Sequence, residues 1–382
     1  MEKDVIVIGG GPSGAALSLS LLTHSSLSVG LIDRSDFMDT KIGEHVSSSI
    51  FDFLKHLSMD KADFSADCFL PAYESVAYWG DDLPRSVHTI DTFESASYQI
   101  NREQFDLRLL EEVAERGGDI FPRTTLASAD QQSDHSWLLS LKHAEHGAFE
   151  LKCKYLIDAS GRKAPFGRKI GLSPNRLDQL VGVGTFFENQ GENAESRGQL
   201  IETVEHGWWY SASLPNNLRV VTLFTDSDIV SAMKLNTREQ WNALLNETKH
   251  IKYEVHQHAM QEAKPWVRDA GTYFHAESSP VNFAAIGDAA ISFDPISSMG
   301  IGFALSSACH VAYLIASHED SSQGVLDISQ YQKDLQEHFN KYLDVRNKYY
   351  EREKRWSDSL FWQRRQQKQE AIQEPLEAIS NL

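Results

Sequence analysis

The chain enters on an apolar run, Val5-Ile-Val-Ile8, which stops at Gly9-Gly-Gly-Pro-Ser-Gly14 and passes into the apolar stretch Ala15 to Leu22. β-branched residues closed by glycine predict a strand buried on both faces, and the stretch beyond predicts a helix. A second strand is expected in LSVGLIDR, ending at Asp33. The same order of patterns returns late in the chain. Phe283 to Ile286 reads as a strand ending at Gly287-Asp288, a loop bearing Pro295 follows, and Gly300-Ile-Gly302 opens a long apolar helix. Between these ends the period drops to two. LVGVGTFFEN, GQLIETVEHGWWYSASLP and LRVVTLFT, from Leu180 to Thr225, alternate as strands of a second sheet. From about Asp327 a polar helical pattern carries Tyr331, Phe339, Tyr342, Tyr349 and Tyr350, whose spacing predicts core contacts.

The first turn has the spacing of a dinucleotide site. Gly9 permits the tight turn, Gly11 lets backbone approach a pyrophosphate, and Gly14 lets helix and strand pack closely. Pro12 and Ser13 stand at the helix N-terminus, whose N–H groups meet phosphate. Asp33, 19 residues beyond Gly14, is placed to meet a ribose hydroxyl, with Arg34 beside it. A third glycine turn follows an apolar strand at Asp158-Ala-Ser-Gly161-Arg162. The three motifs lie far apart, with no repeat or linker between them, so one α/β, Rossmann-like domain is expected from residues 1–70, 97–171 and 270–325. Residues 71–96 and 172–269 are expected to form the interleaved β-sheet substrate domain, and 326–382 a C-terminal helical segment.

The charge balance narrows the partners. A formal charge of −18 repels nucleic-acid backbones and anionic lipid, so neither nucleic acid nor membrane is an expected partner. Cys68, Cys153 and Cys309 are scattered and in no CxxC spacing, which predicts neither disulfide framework nor metal site and suits a reducing, cytoplasmic setting. The fold begins at Asp4, leaving no room for a signal peptide, and no apolar run of spanning length is evident.

Taken together, Gly9 to Gly14, Asp158 to Arg162 and Gly287 to Gly302 resemble the flavin-dependent monooxygenases of the aromatic hydroxylase type, in order and separation. The resemblance implies FAD as the resident dinucleotide, reduced nicotinamide (NADH or NADPH) as a transient reductant, and molecular oxygen as co-substrate. It puts Asp288 at the ribityl chain, and Gly300 and Ile301 at the pyrimidine end of the flavin. It also implies cofactor contacts from Ala159, Gly161, Leu126, Glu44, His45 and Arg102, the arginine that opens a helix.

Lys41-Ile-Gly-Glu-His45 is similar to the GE loop of the tryptophan-halogenase branch, with His45 in place of a small residue and a candidate catalytic group at the flavin edge. The lysine that halogenases use to hold their oxidant falls on Ala72, and the WxWxIP signature is not met. Halogenation is therefore not expected. GWWYSxxLP, DPISSxGIGxAL and RWSDSLFWQRR are similar instead to the flavoproteins that assist cysteine tryptophylquinone biosynthesis in lysine and glycine oxidases. That likeness implies hydroxylation of a tryptophan in a partner polypeptide, the precursor of a quinone-cofactor amino-acid oxidase. Hydroxylation of a small free aromatic, a prenyl reductase and a flavin-bearing chaperone without chemistry are the other readings. Strand alternation leaves open which of Trp208 and Trp209 meets the substrate; Trp209 and Tyr210 are the expected pair, and the Arg355 to Arg365 tail is expected to pack.

Overall fold

The computed structural model describes residues 1–37, 41–88, 97–162, 164–172, 175–188, 198–255, 259–261, 263–275, 280–321 and 324–367. Residues 89–96 and 189–197 of the expected substrate domain, and 368–382 of the expected C-terminal segment, lie outside these. The first sheet is built around Glu2–Ile8. Val29–Ile32 and then Asp119–Phe121 pair parallel on one side of it, and Gly147–Asp158 pairs parallel on the other. Phe283–Ala285 joins the far edge of Gly147–Asp158, also parallel. The first half of that long strand instead runs antiparallel to Trp137–His143, which pairs with Thr124–Gln131.

The parallel strands need cover on both faces, which their continuous Val/Ile runs require. Pro12–His24 lies against the sheet and packs on both Arg102–Glu115 and Gly300–Ser321. Val5, Val7, Ala15, Leu19, Leu109, Leu305 and Val311 share this core. Each buried aliphatic side chain contributes about 1.5–3 kcal/mol against leaving it in water. Gly300–Ser321 departs from one expectation, being long and apolar enough to cross a membrane by length and composition alone. Here Ile301, Ala304, Leu305, Ala308, Val311, Ala312 and Ile315 are spent on the core.

The second sheet orders Leu180–Glu188, Leu218–Asp226, Gly207–Leu214, Gln199–Val204, Glu74–Tyr78 and Arg85–His88, with Ala259–Met260 and Trp266–Asp269 on the outer edge. GQLIETVEHGWWYSASLP is thus a hairpin, closed by Glu205-His206. Its faces are unlike. On the outer face Val183, Trp209, Val221 and Leu223 pack on Trp241 of the Arg238–Glu247 helix. On the inner face Tyr210, Ala212 and Val220 meet Phe186, Ile42 and Trp266. Gly184 makes the room, since a Cβ there would stand 2.6 Å from the Trp266 ring.

Ser329–Tyr350 and Leu360–Gln366 pack against the inner face of the second sheet. Trp79, Trp208, Phe224, Tyr350, Phe361 and Trp362 form one aromatic core there, and the Trp362 indole N–H donates to the Val204 carbonyl at 2.9 Å. Arg365 meets Asp226 at 2.7 Å with both side chains almost fully buried. The tail therefore packs. Tyr331, Phe339, Tyr342 and Tyr350 are buried as their spacing implies, while Tyr349 remains exposed.

Candidate active site

The cofactor-site candidates converge at the carboxyl ends of the parallel strands. The Gly9 N–H donates to the Ile32 carbonyl (2.8 Å), that of Ala159 to Ile8 (2.9 Å) and that of Ile286 to Asp158 (2.9 Å), which draws three glycine turns side by side. Gly9 has a φ of +117°, and a Cβ on it would stand 2.2 Å from the Ala159 carbonyl oxygen. Gly14 is as constrained, with 1.9 Å from its ideal Cβ to the Gly9 oxygen. Gly11, Gly161, Gly300 and Gly302 differ: a Cβ on any of them would meet nothing within 4 Å among the described residues. Two glycines serve the turn, and the other four face open space where a ligand's backbone contacts belong.

The polar groups agree with a dinucleotide. Gly11 caps Pro12–His24 with no side-chain acceptor and no acid in the first turn, so those N–H groups are free to meet an anion. Ser13 lies against Gly287, joining that helix to the Asp288 turn. The Asp33 carboxylate is held at the end of its strand by the N–H groups of Gly10 (2.6 Å) and Ser35 (2.8 Å), and Arg34 is exposed beside it. Asp288 is part-exposed and pairs with Arg162 at 3.1 Å. Leu126 is buried beside Ile8 and Ile32. Gly300 and Ile301 start their helix behind the Pro295 loop, which is pinned through Asp294. That buried carboxylate accepts from Ile296 N–H (3.1 Å), Tyr350 (2.7 Å) and Arg346 (3.3 Å). These residues fit FAD: phosphate donors, a ribose carboxylate, a carboxylate for a polyol and a helix N-terminus for the flavin's electron-rich edge.

The GE loop sits between this cradle and the second sheet. Arg102, the first residue of its helix, donates to the carbonyls of Ile42 (2.6 Å) and Gly43 (3.1 Å) and holds Asp106 with its remaining N–H groups at 3.0–3.1 Å. Glu44 is buried, and burial pushes its carboxyl up to about 7 even though the Arg102 charge opposes it. Burial pulls the His45 imidazole down to about 4. Among the described residues, neither Glu44 Oε1 nor His45 Nδ1 has a hydrogen-bond partner. His45 stands opposite Gln99 in a three-stranded sheet completed by Phe69–Ala72. The Gln99 amide donates to the Tyr210 hydroxyl at 3.2 Å. Tyr210's phenol is raised by burial and then by the Glu44 charge.

Tyr210 therefore lies on the inner face beside the GE loop, and Trp209 does not. Trp209 is fully buried on the opposite face, edge-on to Trp241 at 5.1 Å. The register is set at Gly207, where φ is +152° and a Cβ would stand 2.1 Å from the Phe224 oxygen. With glycine locked into that turn, alternation sends Trp208, Tyr210 and Ala212 inward. Gln99 and Trp266 were not foreseen. Gln99 carries no motif, and Trp266 reaches the inner face only because Gly184 leaves space. Ala72, the position that the resemblance pairs with the halogenases' lysine, is buried at the end of Phe69–Ala72.

Fold and cradle define a flavin-dependent oxidoreductase, with a second sheet beside the cradle. Residues 2–345 match the FAD binding domain family, and the chain belongs to that family. It is 44% identical over 362 residues to LodB of Marinomonas mediterranea, which carries the name of an FAD-dependent oxidoreductase, covering 95% of this chain and 96% of that one. It is 24% identical to a 1H-pyrrole-2-carbonyl-[peptidyl-carrier protein] chlorinase of Pseudomonas fluorescens, over 80% of this chain and 74% of that one. Among solved structures, the myxobacterial chondrochloren halogenase CndH superposes with a TM-score of 0.81 at 21% identity, over 95% of this chain and 86% of that one. QhpG, a peptidyl tryptophan dihydroxylase essential for tryptophylquinone cofactor biogenesis, gives 0.73 at 19% identity, covering 96% and 79%.

Proposed function

We propose that this flavoprotein hydroxylates a tryptophan side chain in a partner polypeptide, the precursor of a quinone-cofactor amino-acid oxidase, during cysteine tryptophylquinone formation. The observation that carries the reading is the aromatic inner face beside the GE loop: Tyr210, Phe186 and Trp266 around Ala212 and Gly184, with no lysine at Ala72. Planar side chains over small ones suit a flat, electron-rich ring. The end-to-end likeness to LodB and the shared fold of QhpG support the same reading.

Bound FAD, reduced by NADH or NADPH, supplies the two electrons and the activation of oxygen. The chain's own part is to hold and to exclude. Gly11 and the N-terminus of Pro12–His24 take the phosphates, Asp33 the ribose, Asp288 the polyol, and Gly300 with Ile301 the electron-rich edge of the ring. Ala159, Gly161 and Leu126 line the same cradle. Arg102 fixes the Ile42 and Gly43 carbonyls, and so fixes where Glu44 and His45 stand. Tyr210, held by Gln99, forms the wall against which the indole ring is set. Positioning and water exclusion are the main requirements of such a transfer, because solvent diverts the oxidant. Contacts with the partner outside the cavity would supply binding that orients the ring, which makes free tryptophan a poor substrate.

The test is to express a quinoprotein precursor with and without this protein and weigh the tryptic peptide bearing the modified tryptophan. The reading requires a peptide heavier by oxygen only when the flavoprotein is present, and no halogen in it when bromide is supplied. Equal masses in both preparations, with an FAD-loaded protein and reductant at hand, return the free-aromatic hydroxylase to first place.

A further inference from the structure

We propose that the Glu44 carboxylate is the hydrogen-bond acceptor for the substrate's indole N–H, and so a catalytic residue of the hydroxylation. The inference rests on the tryptophan reading above but concerns the ring alone, whatever molecule carries it. Three observations support it. Glu44 is 6% exposed; the backbone N–H groups of Gly43 and Glu44 act on its carboxyl, yet its Oε1 has no hydrogen-bond partner among the described residues, an arrangement buried carboxylates rarely keep unless a ligand completes it. The nearby strong donor is already committed, since Arg102 gives its N–H groups to Asp106, Ile42 and Gly43. The loop carrying Glu44 also packs on the inner face of the second sheet, where Ile42 touches the Phe186, Ala212 and Val220 cluster and the Glu44 charge acts on Tyr210.

Charged and titratable groups around it come from each packed element. Arg102 faces it from its helix, His45 adjoins it on the loop, Tyr210 faces it from the sheet, and Lys41 with Asp106 lies behind Arg102 at 3.4 Å. None donates to Oε1. With the carboxyl raised to about 7, a modest change of surroundings moves it between acid and carboxylate.

In the reaction one atom of dioxygen bonds to a ring carbon. The other leaves as water with the two electrons of the nicotinamide, and the hydrogen on that carbon departs as a proton. Positive charge develops on the indole nitrogen as the C–O bond forms. A carboxylate on the N–H meets that charge, holds the proton, and returns it when the ring carbon has lost its own.

Indole and 1-methylindole, titrated into the FAD-loaded protein and followed by the change in flavin absorbance, separate the outcomes. The wild type should bind indole about tenfold more tightly than 1-methylindole, as a hydrogen bond to a charged acceptor implies, and the preference should grow as pH rises through neutrality. Glu44→Gln should keep FAD, lower the preference several-fold and lose its pH dependence. Equal binding of the two probes by the wild type overturns the assignment while leaving an indole site. Binding of neither probe up to its solubility limit overturns it together with the indole site, and loss of FAD from Glu44→Gln overturns it by making Glu44 a cofactor ligand. The precursor-mass experiment fails or succeeds independently of these titrations.

Discussion

The Trp208 indole N–H donates to the Tyr350 hydroxyl at 3.1 Å, and that hydroxyl donates in turn to Asp294 at 2.7 Å. One phenol thus ties the covering sheet to the loop that leads to Gly300. Tyr350→Phe leaves a buried indole N–H without a partner and takes a donor from a fully buried carboxylate. The expected cost is about 1–3 kcal/mol of stability, accompanied by weaker FAD binding. Thermal denaturation and a fluorescence titration with FAD check both; no change in either would show that the link is idle.

The two kinds of glycine in the first turn should separate folding from cofactor binding. Gly11→Val places its side chain in open space at an ordinary φ of −76°, so the FAD-free protein should melt as the wild type does while FAD binding is lost. Gly14→Ala drives a Cβ against the Gly9 carbonyl and should reduce the yield of folded protein itself. Melting curves of FAD-free protein, set beside the flavin content on purification, distinguish the two.

Trp209 and Tyr210 adjoin in sequence and should differ in effect. Trp209→Ala empties a space beneath Trp241 and should cost about 3–5 kcal/mol, leaving the modification of the partner intact in whatever protein folds. Tyr210→Phe removes only the hydroxyl that Gln99 holds, so stability should change by about 1 kcal/mol while product falls and oxygen consumption without product rises. Denaturant unfolding together with the ratio of product to oxygen consumed would expose an inverted order.

Glu44 and His45 should give the FAD-free protein opposite pH dependences. Burial raises the Glu44 carboxyl from 4.5 to about 7, so in that interval the folded chain keeps a proton the unfolded chain has released. Its contribution is complete below 4.5 and is lost as pH climbs through 7. Burial lowers His45 from 6.5 to about 4, so the unfolded chain takes up the proton first, and stability from this group is present above 6.5 and lost as pH falls through 4. Glu44→Gln should therefore raise the melting temperature on the alkaline side of neutrality and not in acid, and His45→Gln should raise it only in acid. Parallel melting curves for variant and wild type at every pH would refute both assignments.

The cofactor cradle was legible because its chemistry is local. Gly9, Gly11 and Gly14 act within one turn, Asp33 ends the next strand, and Asp288 and Gly300 lie on either side of one loop. The orientation of Trp209 was not legible, since a period of two has two phases and the deciding residue was Gly207, whose conformation depends on the Phe224 carbonyl of the neighbouring strand. Gln99 and Trp266 escaped for a related reason. Each reaches the inner face through pairing with segments a hundred or so residues away in sequence, or through a space left by a glycine. The aromatics from Tyr331 to Tyr350 announced a core, but nothing in their spacing announced that Tyr350 would hold the Asp294 loop.

That clamp also places cofactor loading in time. The glycine turn at Gly9 leaves the ribosome first, whereas the residues that immobilise Asp294 are Tyr342, Arg346 and Tyr350. A nascent chain can therefore form its phosphate-binding turn early and still present a loose loop at Gly300 until synthesis has passed Tyr350. Domains tend to fold as their sequence emerges, yet here the loop before Gly300 is held by side chains of the Ser329–Tyr350 helix. FAD retention is thereby expected to depend on Tyr342, Arg346 and Tyr350, far along the chain, as much as on the glycine turn that begins the cradle.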